Sequence, residues 1–269
     1  MPENGLPGVE PGDSMSFWSS YSFREDQVAR FAIGPLTCWL HRTKDEWRVA
    51  HAHGDALNAC KSTFDGAPVD GLDWHRWIDM TDGRLRLVPA MPDRAVIVRP
   101  DARFAISPGA RGTFYVRIPV WFRVIVGDNE TPLTELPTIL LSNSWFGDPA
   151  EGDFCYSLRT TAQRDLDAYD PQPFRARCAV HVTNRSASDE LNVERLCLRA
   201  RSLSVYECQG MLQTNAITVD YHGEDELPDV EHRTTPPGDQ ATLLCEPRDI
   251  SARERLKRRL NTFTRFRTS

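Results

Sequence analysis

The sequence predicts an all-β protein, one or two antiparallel, immunoglobulin-like β-sandwich layers closed by a C-terminal amphipathic α-helix. Three observations carry that expectation. Proline outnumbers glycine, 19 to 16, in a chain of 269 residues that also holds 12 Phe, 7 Trp and 6 Tyr. That mix suits short strands joined by turns. Over residues 112–126, Phe114, Val116, Ile118, Val120, Phe122, Val124 and Val126 alternate with Tyr115, Arg117, Pro119, Trp121 and Arg123. Period-two patterning of that length marks a half-buried strand. Elsewhere polar turns separate strand-like runs with no βα alternation, which argues against a parallel doubly wound sheet.

Residues 1–15 are polar, acidic and rich in Pro and Gly, and are expected to lack fixed structure. A β-rich region over 16–98, a sandwich domain over 99–246 and a tail over 247–269 follow. Residues 31–33, 36–41 and 46–53 read as consecutive antiparallel strands, separated by Gly34-Pro35 and Thr43-Lys44-Asp45. Residues 55–61 suit a short helical turn, and 72–80, with Trp74, Trp77 and Ile78, read as strand. Pro119 cannot donate to a ladder, so the long alternating run is an edge or is bulged near its middle.

Farther on, residues 161–170 suit a short helix before Pro171 and Pro173. The run 191–207 begins in one phase (Leu196, Leu198) and ends in the other (Leu203, Val205), which predicts a bulge or kink at 200–202. Residues 223–240 read as a long acidic surface loop before a last strand at 241–245. In the tail, Ser251 and Glu254 fit a capping box. Leu256, Leu260 and Phe263 then recur at helical spacing among Arg255, Arg259 and other basic residues, predicting a helix over 252–265.

The charge is uneven. Residues 248–269 hold seven Arg and one Lys against Asp249 and Glu254, a formal +6 that leaves −12 on the preceding residues of a chain whose net is −6. An acidic body with a basic tail points to a polar partner for the tail and away from a nucleic-acid-binding chain. Seven Cys at scattered spacing, with no C-x-x-C pair, argue against a disulfide framework or a structural zinc. With no secretory signal and no long apolar run, the expectation is a soluble cytoplasmic protein.

The stretch 141–165 is the expected site. Asp148, Glu151 and Asp153 lie beside Gly147 and Gly152, and such a loop could offer oxygens to a hard cation. It lacks the spacing of a calcium loop, and the same composition suits an acidic surface loop. Asn143, Trp145 and Phe146 could floor a ligand pocket with Arg159 or Arg164 clamping an anion. The alternative has Trp145 capping a sheet edge and Arg159 on a solvated face. His51 and His53 share a strand face, and Asp55 with His181 would complete a metal triad, although chance pairing of histidines explains them as well. No nucleophile elbow and no phosphate or dinucleotide loop occurs, so neither a catalytic residue nor a cofactor is expected.

The pieces LSNSWFGDPAEGDFCYSL and VTNRSASDELNVERLCLRARSLSVY resemble the uncharacterised prokaryotic family catalogued as domain of unknown function 432. The family has no assigned activity and so supplies no catalytic residues; the resemblance implies a membrane-protein partner, a small mechanosensitive channel. Separately, PDARFAISPGARGTFYVRIPV is similar to the opening strands of immunoglobulin-like modules, an analogy of fold only. The expectation is a non-catalytic interaction or regulatory module that engages a protein partner, a channel or an anionic membrane surface through Arg255, Leu256, Arg259, Leu260 and Phe263. The competing readings are a ligand- or metal-binding protein or enzyme centred on the 145–153 loop, and an apolar helical stripe that packs back onto its own body.

Overall fold

The computed structural model describes residues 17–64, 66, 69–78, 82–128, 131–147, 152–160, 162–164, 172–226 and 228–249. In chain order the first strands are β1 (Ser20–Ser22), β2 (Val28–Ile33), β3 (Leu36–Arg42), β4 (Glu46–His53), β5 (Cys60–Phe64), β6 (His75–Ile78) and β7 (Arg84–Ala90). Then come β8 (Val96–Pro100), β9 (Phe104–Ile106), β10 (Arg111–Pro119), β11 (Trp121–Val126), β12 (Thr134–Pro137), β13 (Ser142–Phe146) and β14 (Asp153–Thr160). The remainder are β15 (Arg175–Asn184), β16 (Leu191–Val193), β17 (Leu196–Leu198), β18 (Val205–Cys208), β19 (Met211–Thr214), β20 (Ile217–Tyr221), β21 (Asp229–His232) and β22 (Thr242–Cys245).

The sheet β5-β2-β3-β4-β6 faces the sheet β1-β7-β11-β12. Between them the rings of Phe31 and Phe122 lie 6.2 Å apart, with Phe17 beside both. The second half contains β21-β20-β15-β19-β18-β22 with β10 also on β15, the sheet β13-β14-β8-β17, and the β16-β9 pair. One hydrophobic cluster runs through both halves, from Phe31 and Phe122 to Val116, Val180 and Leu196.

The long alternating run is the hinge between the halves. Its first part, β10, pairs with β15, while its second, β11, pairs with β7 and β12. The changeover falls at Val120, directly after the proline that cannot donate. There Thr138 donates its hydroxyl to Val120 O, and Val120 N donates to Phe174 O. Gly34, at φ +52°, lets Phe174 close the junction: a Cβ at that position would stand 2.8 Å from the ring.

Three expectations are corrected. The sheets are not antiparallel throughout: β14 runs parallel to β8, and β15 runs parallel to β20 and β19. Alternation within a strand reports which face is buried, not the direction of its neighbour, and these pairs form between segments tens of residues apart. Residues 223–240 are not wholly loop, because β21 pairs with β20 there. The expected C-terminal helix has no place in the described fold: among the described residues the sole helical turn is the 3-10 turn Ala200–Ser202, at the kink the phase change predicts. Arg255, Leu256, Arg259, Leu260 and Phe263 lie outside the described residues, as do 165–170 of the short helix expected at 161–170. A capping box and an apolar stripe state only propensity, and an isolated helix of ~14 residues is marginal in water. The partner surface assigned to that helix therefore loses its basis. Among the described residues, no helix is long and apolar enough to cross a membrane.

His232 on β21 supplies a pH prediction. Both its ring nitrogens are buried without a hydrogen-bond partner. Burial first, and then the charge of Arg199, pushes its pKa from 6.5 down to about 4. Between those values the unfolded chain binds a proton that the folded chain refuses, so stability is lost as pH falls from 6.5 towards 4. The difference is worth about 3 kcal/mol. Urea midpoints measured across that window will fall in the native protein, and His232→Leu will flatten that component of the slope.

Candidate functional site

The hairpin β13–β14 contains the loop singled out in the sequence. Trp145 stands opposite Phe154 and Asn143 opposite Tyr156, on one face of the sheet. The guanidinium of Arg94 lies 4.8 Å from the Phe154 ring centre and 5.3 Å from that of Tyr156, and donates to Asn143 Oδ1 at 3.3 Å. Trp145 and Phe154 are about half exposed. Arg159 alternates onto the opposite face from Tyr156 and Leu158, beside Arg99, so the pleat separates it from Trp145. Asp153 is exposed at the strand start, and Asp148 and Glu151 lie outside the described residues.

On the other face of β14, Cys155 is fully buried with Ile97 and Phe146. Its thiol shares a hydrogen bond with Cys197, which pushes the Cys155 pKa down and the Cys197 pKa up. His51 and His53 lie on β4, whereas His181 lies on β15 in another sheet, so the drawn triad does not assemble. Among the described residues no group of three metal-ligating side chains forms.

A different constellation does assemble, on the outward face of β10 and β15. Alternation sends Phe114, Val116, Ile118, Val180 and Val182 into the core, so Arg111, Thr113, Tyr115 and Arg117 must point outward, as must Arg175, Arg177, Ala179 and His181. Register then sets Arg117 directly opposite Arg177 and Tyr115 opposite Ala179. Arg177 is only 6% exposed. Burial, and then the charge of Arg117, lowers the pKa of Arg175, whose Nε is buried without a hydrogen-bond partner. Like charges set directly opposite one another on a sheet cost stability.

Two concavities open on this face. The more enclosed, about 250 Å³, is lined by Tyr115, Arg177, Ala179, Gln213, Ala216 and Pro236 among others. The shallower, about 520 Å³, is lined by Arg111, Arg164, Thr113, Thr183 and Thr218. His181 and Arg233 line both, so the two form one groove.

The groove is held firmly. Asn215 accepts a hydrogen bond from Ser204 N and donates to Arg233 O, while Arg233 N donates to Ala216 O at 2.8 Å. Arg233 Nε reaches Thr218 Oγ1 at 3.2 Å. The Nδ1 of His181 is 2.9 Å from Thr113 Oγ1, and burial together with Arg233 lowers the His181 pKa. Among the described residues Arg111, Arg164 and Arg233 form no ion pair, whereas arginines elsewhere do: Arg185 with Asp220, Arg201 with Asp249 and Arg84 with Asp82.

Arg164 was expected to clamp an anion beside Trp145; the structure places it in this groove instead. Sequence reasoning missed Arg111, Arg177 and Arg233, because their contributing segments are far apart in the chain. The legible signal was the outward set of the alternating strand, in which Tyr115 and Arg117 occupy the positions that face away from the core.

Comparison with curated proteins and with solved structures gives no match. A family model does match, over residues 17–265, and its description is "Protein of unknown function (DUF432)". From the first described aromatic residues to beyond the last described strand, the chain belongs to that family.

Proposed function

We propose that this protein is a non-catalytic recognition module and that the groove over β10 and β15 binds a multiply charged anion. One observation carries the reading: arginines from β10, β15, the segment at Arg164 and the turn after β21 converge on one concave face, inside a chain of net charge −6. A guanidinium cannot serve as a proton-transfer group near neutral pH, but its planar fork of donors matches carboxylate and phosphate oxygens. The groove therefore suits holding an anion more than transforming it. Threonines 113, 183 and 218 add neutral donors along its floor.

Calorimetric titration with pyrophosphate at fixed ionic strength tests this. The native protein is expected to bind saturably, and Arg233→Gln to weaken binding ten- to a hundredfold, since a charge-assisted hydrogen bond contributes about 1.5–3 kcal/mol. Binding that is undiminished in Arg233→Gln and in Arg111→Gln would remove the groove from consideration.

A further inference from the structure

We infer that the groove takes a nucleotide, with its phosphates over Arg111, Arg164 and Arg233 and its base in the deeper concavity against Tyr115; this rests on the anion-binding reading above. The two ends of the groove differ in chemistry. The shallow end is lined mainly by arginine, threonine and histidine, with Gly112 and Val182, a lining that suits phosphate oxygens. The deep end is mixed: Arg177, Gln213, Thr214 and Thr235 stand beside Tyr115, two alanines and two prolines. Ala179 and Ala216 are the small residues of its lining, Tyr115 contributes from β10, and Pro236 and Pro237 contribute from the turn after β21.

A flat heteroaromatic ring between a tyrosine and a proline pair gains stacking and buries apolar area. At the same end, Gln213 makes no side-chain hydrogen bond among the described residues. Its amide carries both donors and an acceptor, the combination that pairs with the edge of a base. An inorganic polyanion would use neither Tyr115 nor Gln213.

The spacing agrees. Ala179 in the deep end and Thr183 at the shallow end are four residues apart on β15, about 13 Å of strand. That is the reach from a base to the terminal phosphate of a nucleoside diphosphate. Arg233 lines both concavities and so lies between the two ends, where the inner phosphate would sit. An end that presents Arg111 and Arg164 beside an end that adds Tyr115, Gln213 and the proline pair therefore favours ligands that carry both parts.

The test compares ADP, GDP, CDP and UDP with pyrophosphate and with adenosine, by calorimetry at one ionic strength. At least one nucleoside diphosphate is expected to bind ten times or more tighter than pyrophosphate. In Tyr115→Ser that diphosphate falls to the pyrophosphate level while pyrophosphate itself is unchanged; Tyr115→Phe, which keeps the ring, retains the preference. Gln213→Leu is expected to alter the ranking among the four bases. If all four bind no tighter than pyrophosphate, and Tyr115→Ser changes nothing, base recognition is overturned and the anion groove stands. If neither pyrophosphate nor any nucleotide binds, the anion-binding reading fails as well.

Discussion

Replacing Glu135 by Ala will lower the unfolding free energy by about 4 kcal/mol, one of the two largest single-site losses expected in this chain. Glu135 on β12 accepts from Arg123 Nε at 2.7 Å and from Arg248 Nη2 at 2.5 Å. All three side chains are less than a fifth exposed. Arg248 also donates to Met91 O at 2.7 Å, so the triad ties the end of the described chain to the β7–β12 region. Deleting the carboxylate leaves two guanidiniums facing each other with little water to screen them. Removing one partner of a buried ionic cluster is costly, whereas replacing the whole cluster with apolar residues is often neutral. The triple variant Glu135→Leu, Arg123→Met, Arg248→Met should thus recover most of the loss in guanidinium titrations. A single-site loss below about 1 kcal/mol would show instead that the triad behaves as a surface pair.

Phe122→Ala comes next, at about 4 kcal/mol. Phe122 is fully buried, with Phe17 and Trp18 each 6.1 Å away and Phe31 at 6.2 Å. Truncation removes ring burial and leaves a cavity among residues that are already close-packed, while Phe122→Leu, which retains most of the volume, should cost about 1–2 kcal/mol. Because one core runs through both halves, the loss should appear in a single transition reported alike by tryptophan fluorescence and far-ultraviolet dichroism. Two separated transitions in Phe122→Ala would show that the halves unfold independently.

Strand identity was legible wherever burial imposed a period. Glu46–His53, the 112–126 run and the kink at Ala200–Ser202 all follow from which positions must face inward. Strand partners were not legible, because alternation is symmetric with respect to direction: nothing within residues 96–100 states that they lie parallel to β14. The same limit hid the groove. Arg111 and Arg177 are each the polar member of an alternating strand, unremarkable singly, and only the register of β10 on β15 brings them to one face. Conversely, the glycines, tryptophan and acids at 141–153 drew notice because they are adjacent in sequence. There the pleat places Arg159 on the face away from Trp145. Local density of chemistry-bearing residues is a poor guide in a fold whose neighbours are brought together from distant strands.

The central claim is that the arginines lining the groove over β10 and β15 serve a ligand and not the fold. The most direct measurement is the denaturant midpoint of the native protein and of an Arg111→Gln, Arg233→Gln variant, each with and without pyrophosphate. The native protein should gain stability with pyrophosphate in proportion to RT ln(1 + [L]/Kd). The variant loses two guanidiniums that form no ion pair among the described residues, so it should keep the native stability to within about 0.5 kcal/mol without pyrophosphate and gain far less from it. A variant that is less stable by about 2 kcal/mol or more, beside a native protein indifferent to pyrophosphate, would contradict the account and make these arginines structural.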